Sequence, residues 1–452
     1  MRKSTASPAK RINFKPSVAK VIRERVDGKC SVPRCKNAIR GPAAKGTGSI
    51  NLGVASHIYS AALGGPRGQG GMDNAFIASA ENGLWCCQIH GSAIDKNAGE
   101  GYPPEQLFAW KALAEARASK LITDTPSPLG WVDAIQLLRF PHATTLPRLE
   151  LSRCTLVAGV TASGQTSLLD LAGAVTQSAY AQRFIQREPS TSRVPFVEGR
   201  LTYATVDALD RSVDVQVLGD DIHRILEGKP CLLPPGDIQV IYTTLNDLQA
   251  RPHEDDVAFL LRLLGVDRSA LKAIANAIDL RLAPGPLRFR DGVEEDDHGV
   301  SHPRRTPSGE RYVEAFCEIR TDELPAEVTL NGLSTSQQRG VILALLIAKA
   351  QQISQERLTL LIVEDLIVNF DSSKFMQLLA VLGEMPFQVL VAVPPARHNE
   401  LLEECAGVAT LKPNPDLSSW RLRWLGAPIQ DSSPSVRRSG VQGSRAPIAK
   451  LL

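Results

Sequence analysis

Residues 30–35 read CSVPRC and residues 81–95 read ENGLWCCQIHGSAID. Together these two stretches decide how the first quarter of the chain folds. Cys30 and Cys35 place two thiols on one turn, and Cys87-x2-His90 places a thiol and an imidazole on another. Each pair is close enough to share a single tetrahedral ion, and three thiolates with one imidazole are a standard structural zinc set. Cys86 competes as a ligand, but the x2 spacing to His90 favours Cys87. Four of the eight cysteines (Cys30, Cys35, Cys86, Cys87) fall in the first ninety residues, which is metal-site usage. Cys154, Cys231, Cys317 and Cys405 stand singly and read as core thiols.

Outward from this frame, residues 16–28 read as a basic helix closed by Gly28, and SINLGVASHI (residues 49–58) reads as a strand. Pro103 and Pro104 suit the first turn of a helix over residues 103–120. His57 ends the strand-like run, Asn82 precedes an apolar stretch, and Asp95 follows the second knuckle. A one-metal nuclease needs these parts: a histidine that deprotonates water, an amide that orients it, and hard ligands for a divalent ion on the scissile phosphate. Residues 1–45 carry thirteen Lys or Arg against Glu24 and Asp27. Such a block attracts nucleic acid through counterion release, with Arg23, Arg25 and Lys29 as candidate DNA contacts. Arg67 reads either as a phosphate contact or as a surface turn residue.

The segments CSVPRC (30–35), GVASHIYSAALGGPRG (53–68), ENGLWCCQIHGSAIDKN (81–97) and YPPEQLFAWKALAE (102–115) closely resemble a bacterial subfamily of HNH endonuclease domains. The resemblance spans about residues 16–120. It implies His57 as general base, Asn82 as the middle motif residue, and Asp95 as a ligand of a catalytic Mg2+ or Mn2+. It also implies Cys30, Cys35, Cys87 and His90 as ligands of a structural zinc. Ser56 stands where many such sites carry an acid or histidine, and Gly91 where a histidine is common, so the catalytic ion is expected to have few protein ligands.

After TDTPSPLG (123–130), a stretch of linker composition, apolar strands alternate with helical patterns to about residue 425. TLVAGVTASGQTSLLDLAG (155–173) passes from an apolar strand into a helix, and Gly159-x4-Gly164-Gln165-Thr166-Ser167 has the frame of a phosphate-binding loop without its lysine. NGLSTSQQRGVILALLIAKA (331–350), LTLLIVED (358–365), IVNFD (367–371) and FQVLVAV (387–393) follow. In this order the set resembles the ABC-type ATPase heads of the SMC/RecF group. Ser334 then lies in the signature motif, Glu364 and Asp365 in the Walker B pair, and Asn369, Phe370 and Asp371 in the D-loop. Several motif residues depart from that group. Gln165 replaces the lysine, Ser336 replaces a signature glycine, the two acids are exchanged in type, and Pro394 and Pro395 stand where the switch histidine belongs. Efficient hydrolysis, ATP binding without fast turnover and a purely structural head all stay open, with the second favoured.

The expected architecture is α/β and multi-domain. A basic disordered arm (1–15) precedes a zinc-stabilised ββα-metal domain (16–122), and a linker (123–130) leads to a degenerate ABC-type P-loop head (131–425). The head carries a helical insertion at about 171–310, with residues 254–280 as a small helical lid, and a disordered tail covers 426–452. Hydrophobic residues at 43% and charged residues at 22% are ordinary globular values. No stretch approaches the roughly 18 apolar residues of a membrane span, so a cytoplasmic protein is expected. DNA is the expected partner, with dimerisation through the head. A separate ATPase or defence-system partner is possible by analogy with antiphage systems such as Septu, which pair an HNH chain with an ATPase. The alternative is a non-catalytic zinc protein that binds DNA or a partner through a pseudo-ATPase head. An ATP-driven repair machine of the RecF kind is disfavoured by Gln165 and Pro395.

Overall fold

The computed structural model describes residues 11–44, 46–141, 143, 145–160, 163–186, 194–307, 309–320, 325–405 and 408–426. Residues 1–10 of the expected arm and residues 427–452 of the expected tail lie outside them.

The amino-terminal lobe opens with a helix, Pro16–Glu24, whose first position is proline. It stops short of the expected end because Asp27 and Gly28 adopt left-handed φ of 54° and 65°. At Gly28 an added Cβ would lie 2.6 Å from the Arg40 side chain. The expected single strand over 49–58 is two strands. Ser49–Asn51 pairs with Arg40–Pro42, and Gly53–His57 pairs antiparallel with Gly83–Cys87. The chain turns between them, with Asn51 Oδ1 accepting from the Gly53 N–H and the Leu52 N–H donating to the Ile39 carbonyl. The helix Gln88–Ala93 follows the second strand directly. It packs tightly on the first, since a Cβ on Gly91 would come within 2.5 Å of Val54. A long helix, Pro104–Thr123, closes the lobe over a core that includes Ile22, Ile58, Leu84, Leu107 and Leu113.

The rest of the described chain is built on a five-stranded sheet ordered Ile238–Tyr242, Leu358–Val363, Gln388–Ala392, Cys154–Gly159, Trp420–Leu425, with every neighbouring pair parallel. A parallel sheet must be covered on both faces, so its central strands are mostly apolar, with Thr155, Thr359 and Gln388 buried among them, while the edge strand Trp420–Leu425 carries Arg421 and Arg423. Alternate residues feed two cores. Leu156, Leu361 and Val389 meet helices Thr335–Ile353 and Ser372–Gly383. Val157, Leu360 and Leu390 meet helix Gln165–Ala174 and a second sheet. That second sheet is antiparallel, ordered Lys229–Cys231, Asp221–Leu226, Arg211–Leu218, Val197–Thr205, Gly130–Arg139, Arg148–Glu150.

The expected helical insertion at 171–310 is therefore corrected. Residues 197–231 form four strands of the second sheet, and Ile238–Tyr242 is an edge strand of the first. Among the described residues of this segment, only Asp256–Leu264 and Arg268–Asn276, inside the expected lid, are α-helical beyond the Gln165–Ala174 helix. The cause is a period-two pattern in which Val213, Val215 and Val217 are wholly buried, the signature of a half-buried strand.

The zinc-type knuckle and the long helix of the first lobe meet this second sheet. Arg34, between Cys30 and Cys35 and at φ 64°, donates to Asp133 at 2.7 Å and Asp210 at 2.5 Å. Arg117 donates to the Thr205 carbonyl at 2.9 Å, and the Trp110 and Trp131 rings meet edge-on with centroids 5.7 Å apart. No helix among the described residues is long and apolar enough to cross a membrane.

Candidate functional site

The ligand atoms of Cys30, Cys35, Cys87 and His90 all lie within 4.8 Å of one another, and among the described residues this is the one group of three or more potential metal ligands. Local structure explains the convergence. Cys87 ends a strand and caps the following helix, its Sγ accepting from the His90 N–H, so His90 sits one turn along the same side. The His90 Nδ1 lies 3.2 Å from Cys87 Sγ and 3.5 Å from Cys30 Sγ. Cys86 is wholly buried beside Cys30 and raises its own thiol by donating to that sulfur. The same contact, with a further one from His90, holds Cys30 down to about 3, whereas burial pushes Cys35 up to about 12. Three sulfurs and one imidazole at this separation fit a tetrahedral zinc with bonds of roughly 2.3 and 2.0 Å.

His57 ends its strand opposite Gly83. Its ring stacks on Phe14 with centroids 3.7 Å apart and 3° between planes, and its Nε2 is buried without a hydrogen-bond partner. Burial and the Arg11 charge lower its pKa below the usual imidazole value, with the Ile12 backbone and Asp95 pulling the other way. Asn82 is 0% exposed. Its amide accepts from the Tyr59 N–H at 2.7 Å and donates to the Tyr59 and Ile77 carbonyls at 2.9 and 3.2 Å. It thus fastens the backbone just beyond His57, and its partners do not include the imidazole.

Arg67 departs from both of its expected readings. Its side chain is 4% exposed and donates to the His57, Ile58 and Ile94 carbonyls and, at 2.6 Å, to Asp95 Oδ1. Three carbonyls converge there, and the guanidinium fork gathers them together with the Asp95 carboxylate. Of the other candidate DNA contacts, Arg25 is held in a two-pronged pair with Glu115 at 2.8 and 2.6 Å. Lys29 pairs with Asp27 at 2.9 Å, and Arg23 lies 3.6 Å from Glu24 with its Nε buried. All three thus have a local ion-pair partner, with the Arg25 and Lys29 side chains still 51% and 70% exposed. Arg11, which the sequence reading passed over, is the cation whose charge reaches His57.

The second site is a cavity of about 390 Å3 lined by Gly159, Gly164, Gln165, Thr166, Glu364 and Arg183 among others. Thr161 and Ala162 of its loop lie outside the described residues. Gly164 takes a left-handed φ of 81° to start the helix Gln165–Ala174. A Cβ on Gly159 would fall 2.5 Å from the Leu425 carbonyl, so glycine is what lets the neighbouring strand pass. Thr166 Oγ1 donates to Glu364 Oε1 at 2.8 Å, and the Tyr242 hydroxyl lies 2.5 Å from Glu364 Oε2 and 3.1 Å from Asp170 Oδ1. Arg183 pairs with Asp170 at 2.5 Å and donates to Ser167 Oγ at 3.2 Å. Burial raises the carboxyl pKa of Glu364 and Asp365, and that of Asp170 to about 6. Ser334 caps the Thr335–Ile353 helix in a capping box with Gln337 and does not line this cavity. Tyr242, Asp170 and Arg183 escaped the sequence reading. Asp170 could have been found, since it lies four residues beyond Thr166 on the same helix face.

No known family profile matches the chain, and no curated protein matches it. Among solved structures, an Smc head bound to the C-winged helix domain of ScpA aligns at 13% identity over 62% of this chain and 97% of that one, with a TM-score of 0.41. The SMC head domain from Thermotoga maritima aligns at 14% over 63% and 98%, with a TM-score of 0.33. The recombination mediator protein RecF with ATP, of the RecFOR pathway, aligns at 12% over 58% and 93%, with a TM-score of 0.37.

Proposed function

We propose that the chain is a metal-dependent HNH-type DNA endonuclease, stapled by zinc and carried on a degenerate ABC-type head, acting against foreign DNA. The observation that carries the reading is the end of the Gly53–His57 strand, where a half-buried imidazole of lowered pKa faces the Asp95 region. An imidazole so perturbed is neutral at neutral pH and able to take a proton from water. Asn82 holds the backbone after the base, and Arg67 ties the His57 carbonyl to the Asp95 carboxylate. A divalent ion held by Asp95 would supply Lewis acidity at the scissile phosphate. Zinc at Cys30, Cys35, Cys87 and His90 would hold the strand pair, the short helix and the Arg34 turn in one unit.

The head binds nucleotide without fast turnover in this reading. Gln165 removes a positive charge from the phosphate cradle, and Glu364 already spends both oxygens on Thr166 and Tyr242. Dimerisation through the head and partnership with a second defence protein extend the same proposal. One observation favours a binding module that does not cut: Phe14 covers a face of His57 and Arg67 occupies Asp95. Incubating the zinc-loaded protein with supercoiled plasmid and Mg2+ or Mn2+ separates the two. Nicking by the wild type that His57→Ala lowers by about 10²–10⁴-fold supports the endonuclease. Plasmid binding without nicking under every ion condition supports the binding module.

A further inference from the structure

We infer that Arg11 is the phosphate-holding cation of the His57 site, presenting its guanidinium fork to a DNA phosphate beside the imidazole. The inference rests on the endonuclease reading and adds to it a substrate contact from a segment that carries no motif. Three contacts lay residues 11–15 along the site. The Ile12 N–H donates to the Ala61 carbonyl at 2.8 Å, the Ile12 backbone hydrogen-bonds the imidazole, and the Phe14 ring stacks on it with centroids 3.7 Å apart. Arg11 adjoins Ile12, so its charge acts on the imidazole, and Asp95 acts there with the opposite sign. A phosphodiester entering between them has its charge offset by Arg11, and a fixed cation is worth most where negative charge develops.

Arg11 is also free to take an anion. Arg25, Lys29, Arg34, Arg67 and Lys120 of the same lobe each meet a carboxylate. Arg11 meets none among the described residues, and its own stretch of chain offers none: residues 1–23 hold seven Lys or Arg and no Asp or Glu. Its Nε donates to Asn13 Oδ1 at 2.9 Å, which orients the planar group. Both terminal nitrogens are left without a partner among the described residues, and that edge takes two phosphate oxygens in parallel. Lys15, Arg40 and Lys96 are likewise exposed and meet no carboxylate among the described residues. Of these four cations, Arg11 is the one whose charge acts on His57.

The test uses full-length, zinc-loaded protein with Arg11→Ala and Arg11→Lys, and with Lys20→Ala as control, since Lys20 already pairs with Glu24 at 3.8 Å. Binding of a fluorescent DNA duplex is followed across NaCl concentrations without divalent ions, and plasmid nicking is followed with Mn2+. The His57 ring signals are followed by NMR as inorganic phosphate is added at constant ionic strength. Arg11→Ala is expected to lower kcat/KM by about ten- to a hundredfold, the worth of one hydrogen-bonded charge contact. It also reduces the slope of log affinity against log salt by about 0.9, one phosphate contact. Phosphate moves the His57 signals in the wild type and in Lys20→Ala and leaves them still in Arg11→Ala. Arg11→Lys keeps the salt slope and recovers part of the nicking. A wild-type salt slope in Arg11→Ala, or an unchanged response of His57 to phosphate, overturns the inference. A reduced slope with wild-type nicking also overturns it, because the phosphate held is then remote from His57. If the wild type itself does not cut, the endonuclease reading fails, while the salt slope and the phosphate response still decide whether Arg11 holds a phosphate beside His57.

Discussion

The amino-terminal site and the phosphate-loop site both sit at the end of a strand, and they treat their polar groups in opposite ways. At His57 the neighbours hold the backbone and the far carboxylate, and the imidazole keeps no hydrogen-bonded side-chain partner. At the phosphate loop, Arg183, Ser167, Asp170, Tyr242, Glu364 and Thr166 form one continuous network, leaving the head acid with both oxygens engaged. A buried polar group without a partner is a candidate place for a ligand, a state His57 Nε2 shares with Arg23 Nε, Ser31 Oγ and Trp85 Nε1 in the same lobe. A network that closes on itself must be taken apart before a ligand can enter. On the proposed reading, this contrast distinguishes a nuclease site from a degenerate nucleotide site.

The largest effect expected from breaking the comparison is at the zinc frame. Cys87→Ser, or chelation of the wild type, removes the staple on which the His57 strand pair depends, and the amino-terminal lobe loses its cooperative melting transition. Metal content and thermal unfolding followed together check this, with the transition of the five-stranded half unchanged. His57→Ala comes next: nicking falls by about 10²–10⁴-fold while the melting temperature stays near that of the wild type.

The phosphate loop gives a graded pair. Gln165→Lys alone raises affinity for a fluorescent ATP analogue, by about tenfold, and leaves hydrolysis absent because Glu364 is still tied down. Adding Tyr242→Phe frees one oxygen of Glu364 and is required before any phosphate release is detected.

A smaller effect concerns Asp170, whose carboxyl is raised by burial from 3.8 to about 6. A raised folded-state pKa means the folded protein holds this proton more tightly than the unfolded chain. The group therefore contributes its stability at acid pH and loses that contribution as pH climbs from about 4 through about 6. Asp170→Asn flattens this part of the stability profile, an effect on the order of 1–3 kcal/mol, read by urea melts across that range. The smallest effect is at the seam between lobes. Arg34→Ala removes part-exposed ion pairs with Asp133 and Asp210, whose side chains are 35% and 27% exposed. It costs about 0.2–1 kcal/mol while leaving zinc bound.

Legibility in the sequence followed the range of the interaction. The four clustered cysteine and histidine residues sit in two short spacings, and the strands Leu358–Val363 and Gln388–Ala392 are apolar apart from Thr359 and Gln388, so each could be read locally. The strand Arg211–Leu218 carried its alternation in plain view. Its partners include Val197–Thr205, which in turn pairs with Gly130–Arg139 far upstream, and spacing alone does not encode that pairing. Arg67 follows a Gly-Gly-Pro turn that reads as surface, yet three loop carbonyls and Asp95 draw its guanidinium inward. Phe14 and Arg183 were invisible for a similar reason, since their partners are set by the fold and no motif spacing points to them.

The division of labour between the two sites is tested most directly by following plasmid cleavage and phosphate release from ATP in a single reaction of zinc-loaded protein with Mn2+. The account predicts nicked plasmid, abolished in His57→Ala, with no ATP-derived phosphate above background. Steady phosphate release with the plasmid left intact would contradict it.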